Sequence, residues 1–103
     1  MSVQLLVIYP TPKDPAEFDR AYREQHLPYA KPRLIGATDV TTKRVLGSPG
    51  GNSLAYTISF VAFPNAEAAK TCAQSKSGQE ALKHAASISS GGPPQVLLID
   101  DAA

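Results

Sequence analysis

Residues Tyr9–Pro28 read YPTPKDPAEFDRAYREQHLP and carry the strongest local structural signals in the chain. Asp14 is a natural helix N-cap, Pro15 suits the first helical position, and Glu17 stands three residues after the cap. This arrangement is an aspartate version of the capping box, and such a cap contributes about 1 kcal/mol to helix stability. We therefore expect a helix that begins at Pro15. Because Pro28 disfavours a helical residue before it, we expect the helix to end there.

An aromatic stripe runs along the predicted helix. Phe18, Tyr22 and His26 follow one another at intervals of four residues, so their side chains stack along one helix face. This spacing places His26 in the last turn, on or beside the buried face. The helix dipole also favours a histidine near a helix C-terminus. A structural role for His26, as a cap or a polar core residue, therefore stays open.

A set of residues at fixed offsets carries a family resemblance over about the first third of the chain. The set consists of Tyr9, Pro10, Pro12, Asp14, Phe18, Tyr22, His26 and Pro28. It resembles the pattern of the EthD family, which is named for ethyl tert-butyl ether degradation. The resemblance implies a ferredoxin-like, dimeric α+β barrel fold. It does not imply one reaction, because members of the wider superfamily do several unrelated things.

The composition indicates one globular domain that spans residues 1–103. The hydrophobic fraction is 43% and the charged fraction 18%, and the formal net charge of +1 gives no electrostatic footprint for nucleic acid. No apolar run approaches the ~20 residues of a membrane helix, and the start of the chain lacks the basic region of a secretion signal. Cys72 is the single cysteine, which fits a reducing compartment. We expect a cytoplasmic protein without membrane or nucleic-acid partners.

The remaining patterns predict the element order β-α-β-β-α-α-β. We expect strands at residues 3–9, 34–46, 54–63 and 96–99, the first of them buried on both faces, and a loop at residues 47–52. Asn65 is expected to cap the second helix, and a capping box that starts at Ser77 is expected to open the third. Right-handed connections then give a four-stranded antiparallel ferredoxin-like sheet in the order 4-1-3-2, with the wetter second strand at an edge.

The third strand is expected to have one face toward the helices and one toward a partner subunit. The expected core face consists of Leu54, Tyr56, Ile58, Phe60 and Ala62. The other face consists of Ala55, Thr57, Ser59, Val61 and Phe63. Because this second face is too apolar to lie in water, we expect a homodimer formed by sheet-to-sheet packing.

His26 is the leading candidate for a catalytic residue. An unperturbed imidazole titrates near 6.5, so it exchanges protons at neutral pH. Tyr22 lies one turn earlier, where it could donate to or orient a bound oxygen. Tyr9 and Tyr56 are candidates to line the same space as substrate-binding residues, and each is also a candidate core aromatic.

We expect neither a cofactor nor a metal. Haem-binding relatives of the barrel superfamily ligate iron from a histidine in the third helix, where this chain has His84. The apolar stripe of that helix runs through Ala81, Leu82, Ala85 and Ile88, so we expect His84 at the surface and not as a haem ligand. Two histidines without a carboxylate or cysteine at ligand spacing argue against zinc, and no nucleotide-binding motif is present.

Two functions remain open. The first is a cofactor-independent enzyme with a pocket between the first helix and the sheet, where His26 is general acid or base and Tyr22 a hydrogen-bond donor. Isomerisation, cyclisation or decarboxylation of an aromatic or hydroxylated catabolic intermediate fits these groups. The second is a non-catalytic ligand-binding or accessory protein of a degradation pathway that uses the same pocket. A haem-binding oxygenase is a distant third.

Overall fold

The computed structural model describes residues 3–51 and 53–103. Within them, a four-stranded antiparallel sheet in the order β2-β3-β1-β4 is covered by helices on one face. The strands are β1 (Val3–Pro10), β2 (Asp39–Arg44), β3 (Ala55–Phe63) and β4 (Gln95–Ile99). This is the predicted strand order, and the α+β ferredoxin-like fold is confirmed. Met1, Ser2 and Asn52, which belong to the start of the chain and to the predicted 47–52 loop, lie outside the described residues.

The helices after β1 and β3 begin where their caps predict. They are α1 (Pro15–Ala21), a π-helical segment (Tyr22–His26), α2 (Leu27–Ala30), a 3₁₀ turn (Lys31–Arg33), α3 (Ala66–Gln74) and α4 (Lys76–Ile88). The Glu17 amide donates to Asp14 Oδ1 at 3.2 Å, and the Ala68 amide donates to Asn65 Oδ1 at 2.8 Å. Both predicted caps are therefore confirmed. No helix in the described residues is long and apolar enough to cross a bilayer.

The prediction that the first helix ends before Pro28 is wrong. The Leu27 amide bonds to the Tyr22 carbonyl five residues back, and helical structure continues to Arg33. A proline has no amide hydrogen and its ring clashes with the carbonyl four residues earlier in an α-helix. The wider π turn gives the proline ring more room, because it shifts the hydrogen-bond register just before the proline. His26 consequently lies in the middle of a continuous helical segment and not at its C-terminus.

The start of α4 also differs from the prediction. Ser75 and not Ser77 is the cap, since the Gly78 amide donates to Ser75 Oγ at 3.0 Å. Ser75 has an extended backbone, and its hydroxyl also donates to the Cys72 carbonyl at 2.7 Å, which closes α3. A Cβ on Gly78 would lie 1.8 Å from that carbonyl oxygen, so the tight junction between α3 and α4 requires glycine there.

The predicted core face of β3 is inverted. The helix-covered side chains of β3 are Thr57, Ser59, Val61 and Phe63, all buried. The cause is the register with β1, in which Thr57 pairs with Tyr9 and Ser59 with Val7. Directly paired residues share a sheet face, and the alternate residues of β1, including Val7 and Tyr9, are the buried ones. The intervening β1 residues are only half-buried, so β1 is not buried on both faces as expected.

The opposite face of the sheet, here called the open face, has no helix against it among residues 3–51 and 53–103. Its apolar side chains are Leu6, Ile8, Ile58, Phe60, Leu97 and Ile99, which the strand registers place together. Most are half-buried, and Leu97 is 38% exposed. The open face is thus an apolar surface, whereas the face that carries Thr57 and Ser59 forms the core with the helices.

Candidate functional site

His26 lies in the π-helical segment with its ring against the sheet, and only 6% of the residue is exposed. Its Nε2 atom lies 3.4 Å from the Tyr9 hydroxyl. Its Nδ1 atom lies 2.9 Å from Nδ1 of His84, which comes from α4. The structure therefore brings together two predicted site residues, His26 and Tyr9, and adds His84.

Burial, and to a lesser extent the neighbouring His84, lower the pKa of His26 to about 4. A charged imidazole loses hydration in such a site, so the neutral form is favoured. At neutral pH, His26 therefore carries one N–H and one bare nitrogen. It is a hydrogen-bond donor on one side of the ring and an acceptor on the other.

Neutral His26 satisfies its two neighbours in either of two hydrogen-bond arrangements. In the first, the Tyr9 hydroxyl donates to Nε2 of His26, and the Nδ1–H of His26 donates to Nδ1 of His84. In the second, the Nδ1–H of His84 donates to Nδ1 of His26, and the Nε2–H of His26 donates to the Tyr9 oxygen. A change from one hydrogen-bond arrangement to the other moves protons along the series Tyr9, His26 and His84. The arrangement is therefore able to relay a proton between buried Tyr9 and half-buried His84.

His84 is not the solvated side chain expected from the sequence. Its ring lies edge to edge with that of His26 and nearly in the same plane, with centroids 5.1 Å apart and planes 10° apart. Its ring stacks on that of Tyr29, with centroids 4.6 Å apart. The guanidinium of Arg33 lies 3.6 Å from the centre of the Tyr29 ring. The sequence held a signal for this position, since His84 follows buried Ala81 by three residues and so borders the buried face of α4.

Tyr9 is fully buried at the end of β1. Its ring makes edge-to-face contacts with Phe18, at a centroid distance of 5.1 Å, and with Tyr22, at 5.8 Å. Burial raises the pKa of the Tyr9 hydroxyl far above its usual value, and the nearby Tyr22 adds to this shift. The hydroxyl is therefore protonated across the physiological pH range and is able to donate a hydrogen bond.

Tyr22 bridges two strands by its hydroxyl group. The oxygen lies 2.6 Å from Thr42 Oγ1 in β2 and 2.6 Å from Ser59 Oγ in β3. Tyr22 has one hydroxyl hydrogen, so at least one of these two side chains donates to it. Its ring lies beside His26, with centroids 5.5 Å apart. Sequence reasoning missed Ser59 as a polar site residue because it assigned that face of β3 to a partner subunit.

Tyr56 does not share the space of His26. In the pairing of β1 with β3, Tyr9 faces Thr57 and Pro10 faces Ala55, which leaves Tyr56 as the extra residue of a β-bulge. Its hydroxyl donates to an Asp19 carboxylate oxygen at 3.1 Å and accepts from Arg44 at 2.9 Å. Tyr56 thus belongs to a separate polar cluster where α1 meets β2.

A small cavity of about 30 Å³ lies between the helices and the sheet. Its polar lining comes from Tyr9, Tyr22, His26, Lys31 and Ser59, and the rest is aliphatic. The volume suffices for only one or two water molecules. An organic molecule would enter only if part of the wall moved. Within residues 3–51 and 53–103, no group of three or more histidine, cysteine or acidic side chains is placed to hold a metal ion.

Solved structures of known proteins share this fold. An EthD family protein from Bacillus halodurans has a TM-score of 0.84 at 25% identity, and the match covers 98% of this chain and 99% of that chain. The chain is EthD-like, with a ferredoxin-like fold. An EthD-like protein from Ralstonia eutropha matches with a TM-score of 0.71 at 18% identity, over 99% of this chain and 93% of that one. The EthD resemblance seen in the sequence is thus confirmed.

A further match is to a protein that is described as dimeric. A dimeric ferredoxin-like protein of unknown function from a Jannaschia species has a TM-score of 0.66 to the EthD-like chain at 15% identity, over 96% of this chain and 99% of that one. At this identity the likeness concerns the fold alone. No family model matches the chain, and no curated protein does.

Proposed function

We propose that this EthD-like chain is a cofactor-independent enzyme that transfers protons on a small aromatic or hydroxylated molecule. Isomerisation, cyclisation and decarboxylation are the reactions that suit its groups. The observation that supports the proposal is the line from the Tyr9 hydroxyl through both ring nitrogens of His26 to His84, with distances of 3.4 and 2.9 Å. A buried residue that only filled space would not need hydrogen-bonding groups at both ends of its ring.

Tyr9 is the group that exchanges the proton with the substrate. Its hydroxyl gives a proton to an oxygen of the substrate as negative charge develops there. His26 restores the Tyr9 proton from Nε2 and takes one at Nδ1 from His84. His84, which is half-buried, recovers its proton from solvent. Because His26 gains and loses one proton in the same step, it stays neutral, as its pKa of about 4 favours.

Tyr22 has a supporting role in this proposal. Its ring lies against those of Tyr9 and His26, and its hydroxyl belongs to a network with Ser59 and Thr42. A substrate oxygen that replaced Ser59 as its partner would receive a second hydrogen bond. Two donors stabilise a developing oxyanion better than one, because little reorganisation is then needed during the reaction.

Hydrogen exchange into a ring ketone tests the proposal and does not require the natural substrate. The probe is 1-tetralone in D₂O, where Tyr9 protonates the carbonyl oxygen and a water molecule takes the proton from the adjacent carbon, which gives the enol. Return of the enol to the ketone places deuterium on that carbon, and mass spectrometry measures the gain. We expect exchange above the buffer rate that Tyr9→Phe and His84→Gln each reduce by about 10²-fold or more. Exchange that both variants leave unchanged would contradict the relay.

A non-catalytic ligand-binding or accessory role is the second candidate. The mostly aliphatic walls of the cavity favour it, because an apolar site whose wall moved to admit a small molecule would be able to bind that molecule without turnover. A panel of small aromatic and ring-ketone compounds that raise the melting temperature, without deuterium uptake in any of them, would support this role. The haem-binding alternative has no such observation in its favour.

We also propose that the chain forms a homodimer in the cytoplasm through the open face of its sheet. A solved protein of the same fold is described as dimeric. The open face of this chain presents half-buried Ile58 and Phe60, together with Leu97 at 38% exposure. A two-fold axis would let this apolar surface pack against its own copy. Cys72 is a buried free thiol, which suits a reducing compartment, and the net charge of +1 suits a protein without nucleic-acid partners.

A further inference from the structure

A second concave site lies outside the cavity. It is a cleft of about 290 Å³ between β2 and the first helical segment, which is the continuous helical stretch of residues 15–33. Tyr22 and Leu27 line both the cleft and the inner cavity, so these two side chains form the partition between them. The cleft approaches the lower size of ordinary small-molecule sites, about 300 Å³, whereas the inner cavity is roughly ten times smaller. A molecule that reached Tyr9 and His26 from this side would first occupy the cleft.

The floor of the cleft contains a buried hydroxyl group without a hydrogen-bond partner. Thr57 is 1% exposed, and its Oγ1 atom is unpaired among the residues that the structure describes. An unpaired buried hydroxyl lowers stability, so its presence needs an explanation. Because this atom has almost no exposed surface, a bound molecule would restore the missing hydrogen bond once the side chains above Thr57 shifted to admit a polar atom.

The rim of the cleft carries a net positive charge. Arg44 is paired with Asp19 at 2.8 Å, so these two charges compensate each other. Arg23 is exposed, and no carboxylate lies within 4.0 Å of it among the described residues. Its guanidinium is therefore available to bind an anion, and a guanidinium matches a carboxylate with two parallel hydrogen bonds.

The wall between rim and floor is aromatic and aliphatic. Phe18 and Tyr22 stack with their ring centroids 6.0 Å apart and their planes 22° apart, and Leu27 continues this wall. A flat apolar wall below a free cation is complementary to a molecule with a ring at one end and an acid group at the other.

We propose that the cleft binds a small aromatic carboxylate and is the site that selects the substrate. The carboxylate lies on Arg23, the ring packs on Phe18 and Tyr22, and a ring hydroxyl reaches Thr57. This inference rests on the proposed function, because it names the substrate class of the adjacent cavity. The experiment that tests it measures binding alone, so its result is independent of the result for the proton relay.

Titration with benzoate tests the charge requirement. Benzamide is the neutral comparison, because it has nearly the same shape, and NMR shifts of backbone amides report both the affinity and the location. We expect benzoate to bind about tenfold or more tighter than benzamide, with shifts at the cleft residues. Arg23→Gln is expected to weaken benzoate binding about tenfold, since a hydrogen bond to a charged group is lost. Arg20→Gln is the matched control, because Arg20 lies on the same helix, pairs with Glu17 and does not line the cleft.

The hydroxyl requirement is tested with 3- and 4-hydroxybenzoate. We expect at least one of them to bind more tightly than benzoate to the wild type, and Thr57→Val to remove that advantage while benzoate binding stays within about twofold. Equal affinity for benzoate and benzamide, no detectable binding of either, or an equal loss in Arg20→Gln and Arg23→Gln would overturn the proposal. So would shifts confined to the open face of the sheet.

Discussion

The Nδ1 atoms of His26 and His84 lie 2.9 Å apart, so the protonation of one nitrogen determines that of the other. Two bare nitrogens would repel at this distance, and two protonated ones would clash. One proton must therefore lie between the two Nδ1 atoms, and it is able to be bonded to either histidine. The hydrogen bond that holds the two rings together is therefore also one along which a proton is able to move.

The depressed pKa of His26 predicts that the folded protein loses stability in mild acid. The folded-state pKa is about 4 against 6.5 for an unperturbed side chain, so the unfolded chain binds the proton first as the pH falls. Stability is therefore complete above pH 6.5 and decreases progressively between about pH 6.5 and 4, by up to about 3 kcal/mol from this group. Urea unfolding at a series of pH values measures the effect, and His26→Gln should flatten this part of the curve. An unchanged slope in that variant would assign the acid sensitivity to other groups.

Thr57→Val is predicted to stabilise the protein. The substitution replaces a buried, unpaired hydroxyl by a methyl group of similar size and should raise the free energy of unfolding by about 1–2 kcal/mol. For a domain of this size that corresponds to roughly 4–8 °C or more in the melting temperature. Thr42→Val is the matched control, because the Thr42 hydroxyl is bonded to Tyr22 at 2.6 Å and its removal should not stabilise. A lower melting temperature for Thr57→Val would show that its hydroxyl has a partner.

If the open face of the sheet is the dimer interface, a charge introduced at its centre should prevent dimerisation. Phe60→Glu should convert a homodimer into a monomer, because a carboxylate would be buried against the partner's copy of the same apolar surface. Light scattering at micromolar concentration measures the mass. Gln79→Glu, an exposed change on α4, is the control and should leave the dimer intact. A wild-type protein that is monomeric in this measurement would contradict the assembly proposal.

His84 is predicted not to bind haem. Its ring stacks on Tyr29, and its Nδ1 atom is engaged with His26. The chain has no tryptophan to flank a porphyrin. Titration with hemin should give no stoichiometric Soret shift. A stoichiometric shift that disappears in His84→Ala would show the opposite.

Local signals were enough to predict the architecture. The caps Asp14 and Asn65 act through amides three residues away, so the sequence nearby contains all that their prediction needs. Strand order followed from the apolar character of whole strands and from the handedness of connections. The continuation of the helix through Pro28 was missed, because the π turn that admits a proline has no local sequence signature comparable to a cap.

The faces of β3 and the position of His84 depend on contacts between distant segments. Both faces of β3 are apolar enough to be buried, and only the pairing of Tyr9 with Thr57 decides which of them the helices cover. His84 meets His26 across 58 residues, through the packing of α4 against the first helical segment. Side-chain pairs of this kind follow from tertiary packing and not from spacing along one helix. The candidate site was therefore predicted in part, through Tyr9, Tyr22 and His26, without the residue that completes the relay.

The central claim is that His26 serves proton transfer and not stability. His26→Gln keeps a polar side chain in place but cannot pass a proton between two ring nitrogens. We expect its melting temperature to stay close to that of the wild type and its rate of deuterium incorporation into 1-tetralone to fall by about 10²–10⁴-fold. Gln25→Ala, a solvent-facing change at the preceding residue, is the control and should preserve both values. A His26→Gln variant that exchanges deuterium at the wild-type rate, and instead loses about 1–3 kcal/mol of stability, would contradict the account and place His26 among the structural core residues.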